Sequence, residues 1–319
     1  MRQNRLKFNE VAGQWLEISG MRVKESSYIK YRNILENHLL PELGECAPEE
    51  LTTERISAYA RKILAEGRID RQGGLSEKSV RDIMIVLKGV CRQAEQMDLE
   101  VPCRFDMIKF RRNTCEVRVL DKRERITLEE FLFQDNDLKK TGILISLFMG
   151  LRLGEVCALK KRNILREEEI LCVRSTMQRI QDPSQPAGHK TKVIVTPPKS
   201  RSAVRDIPIP EFMLKRFGPI DGMSDDAYIL TGSEEKFIEP RTLENVFKRC
   251  LKKCSMPEVN YHVLRHTFAT RCIEAGIDAK SLSEILGHAN VNITLNQYVH
   301  SSMEQKRENM KKLMAVTNG

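Results

Sequence analysis

Four short stretches in the last two-thirds of this 319-residue chain each set a phosphate-compatible group beside a turn or a helix end. GLRLGEVCAL puts Arg152 between Gly150 and Gly154, with Glu155 one turn further on. PPKSRSAVRDIPI puts Lys199 in the turn between two strands. HVLRHTFATR carries His262 and Arg265 three apart, hence on one helical face. LGHANVNITLNQYVH places His288 after a glycine able to end a helix, with Tyr298 ten residues later. Guanidinium, ammonium and imidazole groups bind phosphate oxygens and move protons, and a tyrosine hydroxyl is a side-chain nucleophile. Such a set could attack a phosphate ester. Singly, each residue has a plainer use: a tyrosine that packs half-buried on an amphipathic helix, an arginine in a buried salt bridge, a histidine satisfied in the core, one more surface lysine. The constellation carries the signal.

The bulk composition agrees with a phosphate-bearing partner. Lys and Arg number 53 against 44 Asp and Glu, a formal charge of +9; basic side chains that neutralise nucleic-acid phosphates release condensed counterions. The nine cysteines are odd in number and scattered, which predicts reduced, mostly buried thiols. Cys250 and Cys254, followed by His262 and His266, offer a superficial set of zinc ligands. The gap between the pairs is shorter than the roughly twelve residues of a zinc finger, and both histidines belong to the stretches above, so no metal is expected. No GxxxxGK loop is present, so neither ATP nor any other cofactor is implied. The opening MRQNRLKFNEVAGQW lacks a signal-peptide apolar block, and the run ILISLFMG is too short to cross a bilayer. A cytoplasmic protein that does not engage membrane is expected.

The length suggests two domains. Residues 1–105 read as four helices: FNEVAGQWLEI, SSYIKYRNILENHLLPEL behind N-cap serines and stopped at Pro41 and Gly44, TTERISAYARKILAEG behind its threonines, and SEKSVRDIMIVLKGVCRQAEQM behind Ser76. The basic, aperiodic stretch over 106–125 reads as an interdomain linker. A second domain, 126–319, opens with helices at TLEEFL and TGILISLFMG. The period then changes, and ILCVRSTMQRI, KVIVTPP and AVRDIPIP read as three short strands before helical spacing returns from Pro210 to the C-terminus. The expected class is mainly α with a small antiparallel β-sheet.

Taken together and in this order, the four stretches resemble the tyrosine recombinases, or phage integrase family. The resemblance covers nearly the whole chain, the helical first domain being similar to the family's core-binding domain. It implies a core-type DNA-binding domain followed by a catalytic domain of the DNA breaking-rejoining fold. It implies that Tyr298 attacks a scissile phosphate in double-stranded DNA and holds the strand as a 3′-phosphotyrosine. A free phenol has a pKa of about 10, so it needs a base or a positive field to attack at neutral pH; His262 is the implied base. Arg152 and Arg265 would clamp the non-bridging oxygens, whose geometry matches planar guanidinium donors. Lys199 would protonate the leaving 5′-oxygen, with Lys190, Lys192 and Arg201 close enough in sequence to leave the hairpin register open. His288 would add a hydrogen bond to the phosphate, and Glu155 would orient the site.

The resemblance further implies a C-shaped clamp on DNA, a homotetramer on paired sites, passage through a Holliday junction, and accessory DNA-bending or excision factors. The chain opens almost directly on the core-binding helices, so an added N-terminal domain for arm-type sites is not expected. The basic tail SMEQKRENMKKLMAV sets Met303, Met310, Leu313 and Met314 near one helical face, for packing in cis or docking on a neighbouring protomer. The expected role is integration and excision of a mobile element. The alternatives are an Xer-like chromosome or plasmid resolution recombinase, a type IB topoisomerase, and a catalytically silent DNA-binding regulator.

Overall fold

The computed structural model describes residues 6–70, 72–110, 117–182, 191–198, 200–298 and 307. Lys190, Lys199 and the tail methionines lie outside these residues. The chain divides into two compact units, one of residues 1–115 with 180–190, the other of 116–179 with 191–319.

The first unit is helical. Its elements are α1 (Phe8–Gly20), α2 (Glu25–Ile34), α3 (Leu40–Leu43), α4 (Thr53–Glu66) and α5 (Glu77–Gln96). Apolar residues at helical spacing explain α5, where Val80, Ile83, Leu87, Val90 and Ala94 are all buried. Thr52 and Ser76 cap α4 and α5, each accepting from the backbone N–H three residues on, at 3.2 and 3.1 Å. The second predicted helix differs from its sequence reading. Its N-cap is Lys24, which puts Ser26 and Ser27 inside the first turn, and Pro41 does not stop it. A wide π turn over Leu35–Leu39 precedes α3 instead. Proline has no N–H to give and its ring clashes with the carbonyl four residues back, a conflict that a widened turn relieves.

The second unit opens with α6 (Lys122–Phe133), four residues before Ile126. Asp121 and Glu124 close a capping box there, a signal hidden in the charged run DKRER. Next come α7 (Leu138–Met149), buried along almost its whole length, and α8 (Leu153–Ala158). Two small sheets follow. One pairs β1 (Ile164–Leu165), β2 (Ile170–Val173) and β5 (Arg205–Pro208) antiparallel; the other pairs β3 (Thr176–Gln181) with β4 (Thr191–Thr196). The stretch expected as one strand from Ile170 to Ile180 is therefore two, broken at Arg174 and Ser175, and its halves serve different sheets.

Helices α9 (Glu211–Arg216), α10 (Pro240–Lys253), α11 (His262–Glu274), α12 (Ala279–Leu286) and α13 (Val291–Tyr298) complete the unit. Helical structure is not continuous from Pro210, as the spacing predicts. Between α9 and α10 the chain makes a short 3-10 turn at Gly218–Ile220 and two isolated bridges at Tyr228, because Gly, Pro, Asp and Ser interrupt any helical face there. The core gathers α7, α8, α10, the N-terminal half of α11 and the inner faces of β2 and β5. A smaller cluster joins Ala269 and Cys272 of α11, Leu282 and Leu286 of α12, and Tyr298 of α13.

Candidate active site

Two glycines in the left-handed conformation set up the site. Gly150 ends α7 with φ of +70° and Gly287 ends α12 with φ of +66°. A side chain at either would also collide, since a Cβ on Gly150 would stand 2.6 Å from the Phe268 ring and one on Gly287 3.0 Å from the Ala203 Cα. The chain turns sharply at both, and both carbonyls face arginines. Arg265 donates from Nη1 to the Gly150 carbonyl at 2.8 Å and from Nη2 to the Leu286 carbonyl at 2.7 Å. Arg152 donates from Nη2 to the Gly287 carbonyl at 3.3 Å. A guanidinium carries five N–H groups, so these bonds aim each fork without exhausting it.

The two arginines differ in setting. Arg265 is 2% exposed, and burial with the neighbouring Arg152 charge pushes it down to about 9. Arg152 caps α8 at the rim, its side chain 35% exposed. Its partner Glu155 is buried and accepts from the Arg152 backbone N–H at 2.9 Å and from Arg152 Nη1 at 2.7 Å. Arg205 completes the arrangement, donating to both Glu155 oxygens at 3.1 and 2.9 Å and from Nε to the Ile285 carbonyl at 2.5 Å. Burial raises the Glu155 carboxyl, but hydrogen bonds and charge from Arg205, with Arg152, outweigh it and hold it below its ordinary value. Glu155 is thus a fixed anion between two arginines.

His262 opens α11 on its exposed side. Packing around the ring and the charges of Arg265 and Arg152 lower its pKa. His288 follows Gly287; its Nδ1 meets Thr294 Oγ1 at 2.8 Å, and burial, then Arg265 and Arg152, hold it down at about 4. Tyr298 is only 7% exposed, its ring packed in the α11–α12–α13 cluster and its hydroxyl 2.6 Å from His266 Nδ1. Burial pushes the phenol up to about 12, against the pull of Arg265 and Arg152. His266 in turn lies edge-on to His262, ring centres 4.9 Å apart, and burial with the His262 and Arg265 charges pushes it down to about 4.

The fold therefore gathers Arg152, Glu155, His262, Arg265, His288 and Tyr298 at one place. Lys199, between β4 and β5 in the chain, lies outside the described residues. Sequence reasoning missed Arg205, His266 and Thr294. Arg205 had a legible signal: in VRDIPI it alternates with Ile207 on the buried face of a strand whose other face is exposed, and an arginine on a buried face needs a buried anion. Burial raises the pKa of both the Cys250 and the Cys254 thiol.

This arrangement can bind an anion with two guanidinium forks and present a hydroxyl beside it. The sequence profile described as the phage integrase family matches residues 134–305, and that of the phage integrase N-terminal SAM-like domain matches 7–64. The chain is 25% identical to a XerC-like tyrosine recombinase of Caldanaerobacter subterraneus subsp. tengcongensis, over 92% of this chain and 78% of that protein. It is 26% identical to the transposase of transposon Tn916 of Enterococcus faecalis, over 72% of this chain and 58% of the relative. Among solved structures it resembles the Tn1549 transposon integrase in complex with a circular intermediate DNA, with a TM-score of 0.76 and 22% identity over 97% of this chain and 99% of that one.

Proposed function

The chain belongs to the phage integrase family and is a tyrosine-type site-specific recombinase; on that premise we propose that Tyr298 cuts a DNA strand as a 3′-phosphotyrosine to integrate and excise a mobile element. One observation carries this reading above the others. Tyr298 comes from the far end of the chain and has its hydroxyl at a histidine of α11, one residue from Arg265 and in the field of both arginines.

The chemistry follows from the charges. The scissile phosphate docks on Arg152 and Arg265, which face its non-bridging oxygens with paired donors already aimed by carbonyls and by Glu155. His288, neutral at pH 7, adds a hydrogen bond rather than a charge. Tyr298 Oη attacks phosphorus, the P–O5′ bond breaks, and the 5′-oxygen takes a proton from Lys199. Of the two imidazoles on α11, His266 meets the phenol hydroxyl and His262 lies edge-on to His266. The phosphotyrosine keeps the energy of the broken bond, so the 5′-hydroxyl of another strand reseals it by the reverse route.

Each protomer supplies one tyrosine, and exchange between two duplexes cuts four strands, which favours four copies on paired sites. Action on DNA fits the cytoplasm, and among the described residues no helix is long and apolar enough to cross a membrane. The test is a supercoiled plasmid carrying two copies of the element's joined ends. Resolution into two circles, with slow relaxation of a plasmid lacking the sites, is expected. Efficient relaxation of both plasmids without resolution would identify a topoisomerase instead.

A further inference from the structure

Sequence motifs draw attention to His262, yet the tyrosine hydroxyl is held by its neighbour one turn along. We propose that His266 is the catalytic base: its Nδ1 orients the Tyr298 hydroxyl in the free protein and takes its proton during strand cleavage. The inference rests on the reading of Tyr298 as nucleophile.

Geometry is the ground for it. Tyr298 Oη lies 2.6 Å from His266 Nδ1, a hydrogen-bond separation. In this proposal the phenol donates and the imidazole accepts, with its own hydrogen on Nε2. Both partners are anchored. The tyrosine ring is 7% exposed among Ala269, Cys272, Leu282 and Leu286, and the two rings lie 5.7 Å apart centre to centre. With the O–H bond aimed at His266, the oxygen's lone pairs are left for phosphorus.

Burial does most to set the imidazole's charge, followed by His262 and Arg265 on its own helix, and the Tyr298 ring of α13 packs against it. Before DNA arrives burial and those two charges keep His266 neutral, so it can accept, while burial keeps the proton on the phenol against the pull of Arg265 and Arg152. A bound phosphodiester brings negative charge beside the arginines, which favours imidazolium and so draws the proton across. The step balances. Oη–P forms, P–O5′ breaks with its electron pair on the leaving oxygen, that oxygen is protonated by the general acid, and the phenol's proton rests on His266 Nδ1. Resealing returns it to Tyr298. His262, at the exposed start of the helix, is then left to hydrogen-bond the phosphate.

The test uses His266→Asn, whose Oδ1 can stand where Nδ1 stood and accept a hydrogen bond but cannot carry the proton away, beside His266→Phe. Single-turnover cleavage is followed on a nicked suicide duplex carrying the joined ends of the element that encodes the chain. Both variants should bind this duplex as the wild type does. Both should cleave slower by about 10² or more at pH 7, with the deficit shrinking roughly tenfold per pH unit toward pH 9, as hydroxide replaces the missing base. Wild-type cleavage by His266→Asn, or a deficit that does not change with pH, would overturn the proposal. So would a matching pH-dependent loss in His262→Asn with His266→Asn unaffected. An adduct on a residue other than Tyr298 would overturn the reading and the inference together, whereas a wild-type adduct on Tyr298 with an undiminished His266→Asn rate sinks the inference alone. A second measurement needs no cleavage: imidazole 15N resonances of the DNA-free protein should show His266 Nδ1 as an unprotonated acceptor, changed by Tyr298→Phe. Hydrogen on Nδ1 would contradict it.

Discussion

Lys199 and Arg152 would serve one phosphate in different ways, and a single atom in the substrate tells them apart. An alkoxide is a poor leaving group, so removing its acid should slow cleavage by about 10² to 10⁴. A thiolate leaves unaided, since a thiol has a pKa of about 8.5. Lys199→Ala should therefore be defective on ordinary DNA yet cleave a duplex with sulfur at the 5′-bridging position at nearly the wild-type rate. Arg152→Ala should stay defective on both, because in the proposed role its guanidinium would stabilise the non-bridging oxygens rather than supply a proton. Rescue of Lys192→Ala in place of Lys199→Ala would move the acid to that neighbour.

At the scale of elements, the site depends on how α8, β5 and the end of α12 share one buried carboxylate. Glu155 is 2% exposed, and Arg205 binds both of its oxygens from β5 while also holding the Ile285 carbonyl of α12. Arg205→Ala leaves that anion buried with Arg152 alone, and removing one partner of a buried pair costs about 3–5 kcal/mol. Chemical denaturation should show this loss in the second unit's transition, with Arg205→Lys between it and wild type because an ammonium lacks the fork. An Arg205→Ala protein as stable as wild type would mean that Glu155 is not held as an anion. The same elements show what the sequence could and could not reveal. Helices α4 and α5 were legible because their caps and apolar spacing agree, and Arg152, His262, Arg265, His288 and Tyr298 were legible because short motifs tie each to a turn or cap. The split of 170–181 between two sheets was not, since a strand's partner depends on residues far along the chain. His266 stands in the same motif as His262 and Arg265, but its contact with Tyr298 spans 32 residues and exists only once α13 packs on α11.

For the whole molecule, a charge of +9 suits a protein that must hold duplex DNA through its phosphates whatever the sequence it reads. Binding and cutting are separable demands on such a chain: the first would be spread over many basic side chains, and the second, with Tyr298 as the proposed nucleophile, would fall on one oxygen. Tyr298→Phe removes that oxygen and keeps the ring that fills the cluster of Ala269, Cys272, Leu282 and Leu286. On a denaturing gel with the nicked suicide duplex, the wild type should give a covalent protein–DNA band, and Tyr298→Phe should bind the same duplex equally well and give none. A covalent band that persists in Tyr298→Phe would contradict the assignment of Tyr298 as the nucleophile.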